Sequence, residues 1–218
     1  TPLLAKPADL TTCPDGSAGR YDSTNQCVPY LTRGQIEADL KTNPNTIYKP
    51  IAWLKDPVGA FFLHVQGSGT LELPDGTLRH VGFAAKNGHS YVAIGRVLRD
   101  MGELQPPITA DDIRRWLAKN PKRQDEILHL NPSYIFFTLT PEESVGAYGV
   151  KLTPGRSLAV DRGHIPLGLP MRIATTLTSG ADEEFDRLMF AHDVGSAIKG
   201  PVRGDIYFGH GPAAGKAA

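Results

Sequence analysis

Residues 187–211, RLMFAHDVGSAIKGPVRGDIYFGHG, decide how the second half of this chain is read. Leu188, Met189 and Phe190 form an apolar run that ends at His192-Asp193. Gly195, Gly200 and Gly204 then allow tight bends, and Ile206, Tyr207 and Phe208 resume the apolar run directly after Asp205. The pattern is strand, glycine-bearing loop, strand. It sets two carboxylates at the edges of one short loop, each beside an apolar strand. Such a setting can raise a carboxyl pKa until the group gives up its proton near neutrality. It equally suits two turn residues that bond their own backbone. Lys199 and Arg203 lie between the two aspartates, placed either to keep one carboxylate ionised or simply to face water.

The texture around this stretch is β. From residue 147 onward, short strands alternate with glycine and proline turns. Thr153-Pro154-Gly155-Arg156 turns into SLAVD, Pro166-Leu167-Gly168 precedes the strand MRIATTL, and 181–184 reads as a polar loop. Several short strands at this spacing predict a small barrel, with a domain boundary near 140–147.

Upstream, residues 1–31 read as proline-rich and irregular. Thr32-Arg33-Gly34-Gln35 has the form of a capping box, opening a helix with Ile36 and Leu40 on its apolar face. Residues 51–54 fit either a strand or a turn of helix. FFLHVQ (61–66) reads as strand, and Pro74-Asp75-Gly76 as the turn of a hairpin. Asn87-Gly88-His89 is a loop. Three short helices follow: one on Tyr91, Ile94, Val97 and Leu98 that stops at Gly102, one capped by Thr109, and one on Ile127, Leu128 and Leu130. Residues 133–139 form a strand with Ile135, Phe136 and Phe137 fully buried.

Composition narrows the function. The chain has 218 residues, 40% of them hydrophobic, which is enough for a substantial core in one large or two small domains. A formal charge of +0 gives no electrostatic case for nucleic acid or an anionic membrane. The seven histidines (64, 80, 89, 129, 164, 192 and 210) and two cysteines show no HxxxH or CxxC spacing, so neither metal nor cofactor is expected. Cys13 and Cys27 bracket a Pro/Gly-rich loop, and a disulfide there suits an exported protein; two free surface thiols are the alternative. The sequence contains no signal-peptide or transmembrane run. It opens at Thr1-Pro2, compatible with an export signal removed upstream. Ser68 in Gly67-Ser68-Gly69 lacks the strand-to-helix elbow of a serine hydrolase. Gln66 is placed to bond a sugar amide or hydroxyl, or just backbone. Tyr91, Trp116 and the Phe61-Phe62 pair read as core, and His192 and His210 as polar loop groups.

Three aspartates remain in the strand-rich half. Asp161 begins DRGHIPLG, Asp193 begins DVGSAIKG and Asp205 begins DIYFG. Carboxylates in contrasting surroundings suit cleavage of a glycosidic bond, where a proton must reach the leaving oxygen. At this point longer motifs become informative: VQGSG (65–69), KNGHSYVAIGRVL (86–98), NPSYIFF (131–137), VDRGHIPLG (160–168), AHDVGSAIKGPVRGDIYFG (191–209) and GPAAG (211–215). In this order they resemble the membrane-bound lytic transglycosylase A family of bacterial murein enzymes, from about Pro29 onward.

The resemblance implies a mainly β fold with a few short helices. A double-psi β-barrel catalytic domain would occupy 143–218, and a second, smaller inserted β domain with flanking helices 1–142, with a substrate groove between them. It implies non-hydrolytic cleavage of the β-1,4 bond from N-acetylmuramic acid to N-acetylglucosamine, leaving a 1,6-anhydro end. Asp205 would be the acid and then the base, with Asp193 and Asp161 in support. Gln66, Gly67, Ser68, Asn87, His89, Lys199 and Tyr207 are the substrate-binding candidates. The partner would be peptidoglycan glycan strands, met by a monomer in the periplasm and anchored to the outer membrane through a lipid absent from this sequence. Relative to the family, a Gly-Tyr-Tyr segment with further barrel strands before this sequence and a final strand after it are missing. That predicts an incomplete barrel with exposed strand edges. Ser196 stands where members usually carry a second glycine. A metal-free glycoside hydrolase with Asp205 as acid and Asp193 as partner, and a non-catalytic wall-binding barrel, are the alternative readings.

Overall fold

The structure, a computed structural model, describes residues 1–140, 145–177, 183–195, 197–209, 211 and 214, with the side chain of Glu183 left aside. Ser196, His210, Ala181, Asp182, residues 141–144 and most of the GPAAG segment lie outside the described residues. Among the described residues there are twelve strands and five α-helices. They divide into two compact units, Thr1–Thr140 and Pro141–Ala218. No helix among them is long and apolar enough to cross a membrane.

In the first unit, β1 (Pro2–Leu4) pairs antiparallel with β5 (Pro50–Trp53), which resolves the 51–54 ambiguity in favour of strand. β2 (Thr11–Thr12), β3 (Ala18–Tyr21) and β4 (Cys27–Pro29) form a small antiparallel meander. The expectation of an irregular 1–31 is therefore corrected: it contains four strands, each too short to show an alternating pattern. Cys13 and Cys27 are joined by a disulfide, Cα atoms 5.8 Å apart. Gly19 on β3 lies against it. A Cβ there would meet Cys13 Sγ and the Val28 carbonyl oxygen, both at 2.5 Å, so only glycine fits.

Helix α1 (Arg33–Thr42) opens with the expected capping box, Thr32 and Gln35 each bonding the other's backbone N–H. The largest correction is FFLHVQ, which belongs to helix α2 (Pro57–Gln66) and not to a strand. Asp56 accepts the Val58 N–H at 2.9 Å, Pro57 occupies the first turn, and Gly67 closes the helix at φ 81°. The helix is apolar on two sides because it is buried on two sides. Val58 and Phe61 pack with Ile94, Leu98, Trp116 and Leu117, while Leu63 packs with Leu3, Val81, Ile135 and Phe137. That removes the polar stripe by which an amphipathic helix is recognised.

β6 (Gly69–Glu72) and β7 (Leu78–Lys86) form the expected hairpin, its turn closed by Leu73 and Thr77 with Gly76 at φ 79°. β8 (Ile135–Thr140) adds to β7, with Ile135, Phe136 and Phe137 buried. Helices α3 (Ile94–Asp100), α4 (Ala110–Lys119) and α5 (Gln124–His129) supply Ile94, Leu98, Trp116, Leu117, Ile127 and Leu128 to the core against which Val58 and Phe61 pack. Thr109 caps α4, in a reciprocal box with Asp112. Leu130 departs from expectation: it follows α5 and points to solvent.

In the second unit, β9 (Ser157–Val160), β10 (Pro170–Leu177), β11 (Glu183–Val194) and β12 (Gly204–Ile206) form one sheet in the order β10-β11-β9-β12. β11 runs parallel to β9, whereas β12 is antiparallel to it. β11 already begins at Glu183, inside the polar loop expected there, because its residues 183–190 ladder onto the whole of β10. Leu158, Val160, Phe185, Met189 and Ala191 fill the core on one face, joined by Ile206 and Phe208.

Candidate active site

The two loop-edge aspartates are mounted on either side of a single residue. Asp193 on β11 and Asp205 on β12 both pair with Ala159 of the central strand β9. Directly opposed residues project to the same face, and neighbouring strands lie about 4.8 Å apart, so the two Cα atoms are about 10 Å from each other. The small Ala159 leaves the space between the carboxylates open. The core residues Leu158 and Ile206 pair on the other face. The apolar flank expected to shield Asp205 is thus turned away: Ile206 and Phe208 pack into the core.

A β-bulge puts Asp193 on this face. Ala191 pairs with Leu158 and Asp193 with Ala159, so His192 is an extra residue in β11. In an unbulged strand Asp193, two residues after Ala191, would share its core side, since a one-residue slip exchanges the two faces. His192 is therefore a strand residue and not the loop group expected. Its Nδ1 lies 2.9 Å from the Ser157 hydroxyl, which also accepts the Thr153 N–H at 2.8 Å. Asp193 itself accepts the Ala147 N–H at 3.0 Å. Asp205 is more open: its side chain is 55% exposed, with the Arg203 Nε 3.4 Å from its Oδ1.

Asp161 has another setting. It follows β9, is largely buried, and accepts N–H groups from Gly200 at 2.9 Å and Gly163 at 3.1 Å. These backbone bonds, Gly200's first, hold its carboxyl below the usual carboxylate range, and the Lys199 charge 4.0 Å away acts in the same sense. Asp161 is thus an ionised clamp that ties the segment after β11 to the end of β9. Lys199 faces it, with most of its side chain in solvent.

A cavity of about 160 Å³ opens beside the carboxylates, with Asp193, Asp205, Ala159, Ser157, Leu152 and Tyr207 in its wall and Leu158 and Ile206 also reaching it. Tyr207 is fixed through its backbone, donating to Ser157 O at 3.0 Å and accepting from Gly155 N–H at 2.8 Å. The structure therefore brings Asp193, Asp205 and Tyr207 to one cavity, with Asp161 and Lys199 paired to each other.

The remaining candidates belong to the first unit. Gln66 is exposed at the end of α2, followed by Gly67 and a half-buried Ser68. Asn87 is buried. Its amide donates to Leu31 O and Pro132 O and accepts the Tyr134 N–H, so it joins three backbone segments. His89 Nε2 lies 2.7 Å from Tyr30 O. Among the described residues, no group of three or more His, Cys, Asp or Glu is arranged to hold a metal ion. Sequence reasoning missed Ala147, Ser157 and the role of His192. The one available signal was a histidine interrupting the apolar alternation just before Asp193.

Comparison with known proteins places this arrangement in a family. The model of the MltA specific insert domain matches residues 1–138 and that of the 3D domain matches 156–218. The chain belongs to the MltA family, that of membrane-bound lytic murein transglycosylase A. It is 38% identical over 176 residues to the Escherichia coli K12 protein of that name, covering 77% of this chain and 48% of the relative. It is 34% identical over 175 residues to that of Vibrio cholerae, covering 76% and 47%. Among solved structures, a membrane-bound lytic murein transglycosylase from Agrobacterium tumefaciens superimposes with a TM-score of 0.87 at 38% identity, covering 99% of this chain and 63% of that one. E. coli MltA with bound chitohexaose gives 0.75 at 34% identity, covering 87% and 58%. The chain spans about half the length of the curated relatives it matches.

Proposed function

We propose that this chain carries the catalytic aspartates of a murein lytic transglycosylase, which cleaves the β-1,4 bond from N-acetylmuramic acid to N-acetylglucosamine in peptidoglycan and leaves a 1,6-anhydro end. The observation that carries the reading is the common register of Asp193 and Asp205 on Ala159, on one face, in the wall of an open cavity. Family membership and the chitohexaose bound to the E. coli relative support it. Protonated Asp205 gives its proton to the glycosidic oxygen as the bond from C1 breaks. The C6 hydroxyl oxygen of the same muramic acid then bonds to C1, and its proton returns to the Asp205 carboxylate. The books balance without water: one glycan becomes two, and the acid is regenerated. General acid catalysis of this kind contributes about 10²–10⁴-fold. Asp193, steadied by Ala147, stabilises positive charge at C1, and Asp161 keeps the segment leading to β12 in place.

In this reading residues 143–218 are the catalytic double-psi β-barrel domain and 1–142 the inserted domain. Gln66, Gly67 and Ser68 contact glycan directly, as do Lys199 and Tyr207, while Asn87 and His89 act through the backbone they hold. The site of action is the periplasm, where a lipid outside this sequence anchors a monomer to the outer membrane. The test is incubation with murein and mass analysis of the released muropeptides. Anhydro ends are expected. Asp205→Asn should abolish them in a folded protein, because an amide keeps the shape but delivers no proton; Asp193→Asn should lower release by a smaller factor. Reducing ends would mean a hydrolase, sacculus binding without release a non-catalytic module, and wild-type release by Asp205→Asn a different acid.

A further inference from the structure

The carboxylate face carries a second feature that acid–base chemistry leaves unused, a ladder of three aromatic rings. Tyr148 and His192 are parallel within 2°, with centroids 6.0 Å apart, and His192 and Phe190 lie within 13° at 5.5 Å. Phe190 pairs with Ser157, two residues before Ala159, so the ladder stands on the Asp193 side of the sheet. The inner rings are half-buried, whereas Tyr148, the outermost, is 52% exposed. The ring is nevertheless held firmly. Its backbone N–H donates to His192 O at 2.9 Å, and the residue before it, Ala147, is the one that bonds Asp193. Gly168, at φ 86°, packs so closely that a Cβ there would meet the Tyr148 ring at 2.9 Å. Gly146, in the same turn, admits no Cβ because the His192 carbonyl oxygen fills that space.

We propose that Tyr148, backed by His192 and Phe190, is a docking platform for one pyranose ring of the glycan strand, on the Asp193 side of the bond held at Asp205. The proposal rests on the glycan-cleaving reading above. One face of a β-linked amino sugar presents C–H bonds of slight positive charge, and an aromatic ring presents a negative face to meet it. A ring already fixed by backbone, neighbour and close glycine contact loses little freedom on binding. The platform is continuous with the carboxylates, one residue from the amide that holds Asp193. The line from Asp205 across Ala159 to Asp193 spans about 10 Å, and Tyr148, next to the Ala147 that bonds Asp193, stands at its Asp193 end. It therefore serves a sugar beyond those at the cleaved bond, and its effect depends on glycan length.

Calorimetric titration of the whole chain with chitohexaose and with chitobiose tests this. Tyr148→Ala should weaken the hexasaccharide by about tenfold, the upper end of what an aromatic contact contributes, and leave the disaccharide unchanged. Tyr148→Phe and Tyr148→Trp should bind as the unmodified chain does, because the ring face and not the hydroxyl makes the contact. Wild-type hexasaccharide affinity in Tyr148→Ala, or equal loss of both sugars in a variant with an unchanged circular dichroism spectrum, would overturn the platform alone. Failure of the unmodified chain to bind chitohexaose would overturn the glycan reading and the platform with it.

Discussion

His64 should make the first unit lose stability below about pH 6.5, the ordinary histidine pKa. The side chain is buried in α2 between the rings of Tyr134 and Phe137, with centroids 4.3 Å and 5.1 Å away. Burial first, and the nearby Arg33 guanidinium second, hold its pKa well below the ordinary value. Its Nδ1 also accepts the Ile135 N–H at 3.2 Å, a bond that only an unprotonated Nδ1 can accept. The sign follows from comparing the two states. Above pH 6.5 neither folded nor unfolded His64 carries the proton, and stability does not change. Below it the unfolded chain gains a proton that the folded chain refuses, so stability falls as pH falls until the folded pKa is reached. The slope approaches about 1.4 kcal/mol per pH unit wherever only the unfolded chain takes up the proton, so stability falls steadily as pH drops through that window. Both tryptophans, Trp53 and Trp116, lie in the first unit, so their fluorescence during urea unfolding reports on it without labelling. With a urea dependence of about 1–3 kcal/mol per molar, the midpoint should drop by about 0.5–1.4 M for each pH unit within that window. His64→Gln, with an amide in place of the imidazole, should start lower and stay level over the same range. Equal slopes in the two proteins, or a level wild-type profile, would show that the folded state accepts the proton and would refute the argument.

Two further predictions concern other devices, one in each unit. Gly19→Ala should destabilise the β2-β3-β4 meander and lower the thermal midpoint, since the added methyl meets the Val28 backbone and the disulfide sulfur with no flexible group to yield; an unchanged midpoint in calorimetry would contradict the packing. Asp161→Ala should speed tryptic cleavage after Lys199 and Arg203, because the Gly163 and Gly200 amides lose their shared acceptor; cleavage at the wild-type rate would mean the carboxylate is no clamp.

What the sequence reveals about this fold depends on how local each determinant is. The hairpin at Pro74-Asp75-Gly76 and the capping boxes at Thr32 and Thr109 are written in four consecutive residues, and there the chain folds as its letters suggest. α2 misleads because Phe61 and Leu63 serve two different cores, so a helix looks like a buried strand; its true markers are the Asp56-Pro57 start and the Gly67 stop. β2, β3 and β4 are two to four residues long and have no period to detect. At the site, Asp161, Asp193 and Asp205 stand out beside glycines, but their arrangement does not. Their register depends on Ala159, 34 and 46 residues away from the two partners, and on a bulge whose only trace is one histidine. No window of local sequence contains both ends of that relation.

The mounting of Asp193 and Asp205 on opposite sides of Ala159 has an evolutionary corollary. Their separation is set by two backbone ladders and not by the length of chain between them. Insertions and deletions around Pro201 and Val202, at the tip of that connection, can accumulate while both carboxylates stay in place. A single residue gained or lost within β9 would put that strand's own alternation out of phase and disturb the pairing of both at once. Members of the family should therefore vary in loop length between these two aspartates far more readily than in the length of the short strand that joins them.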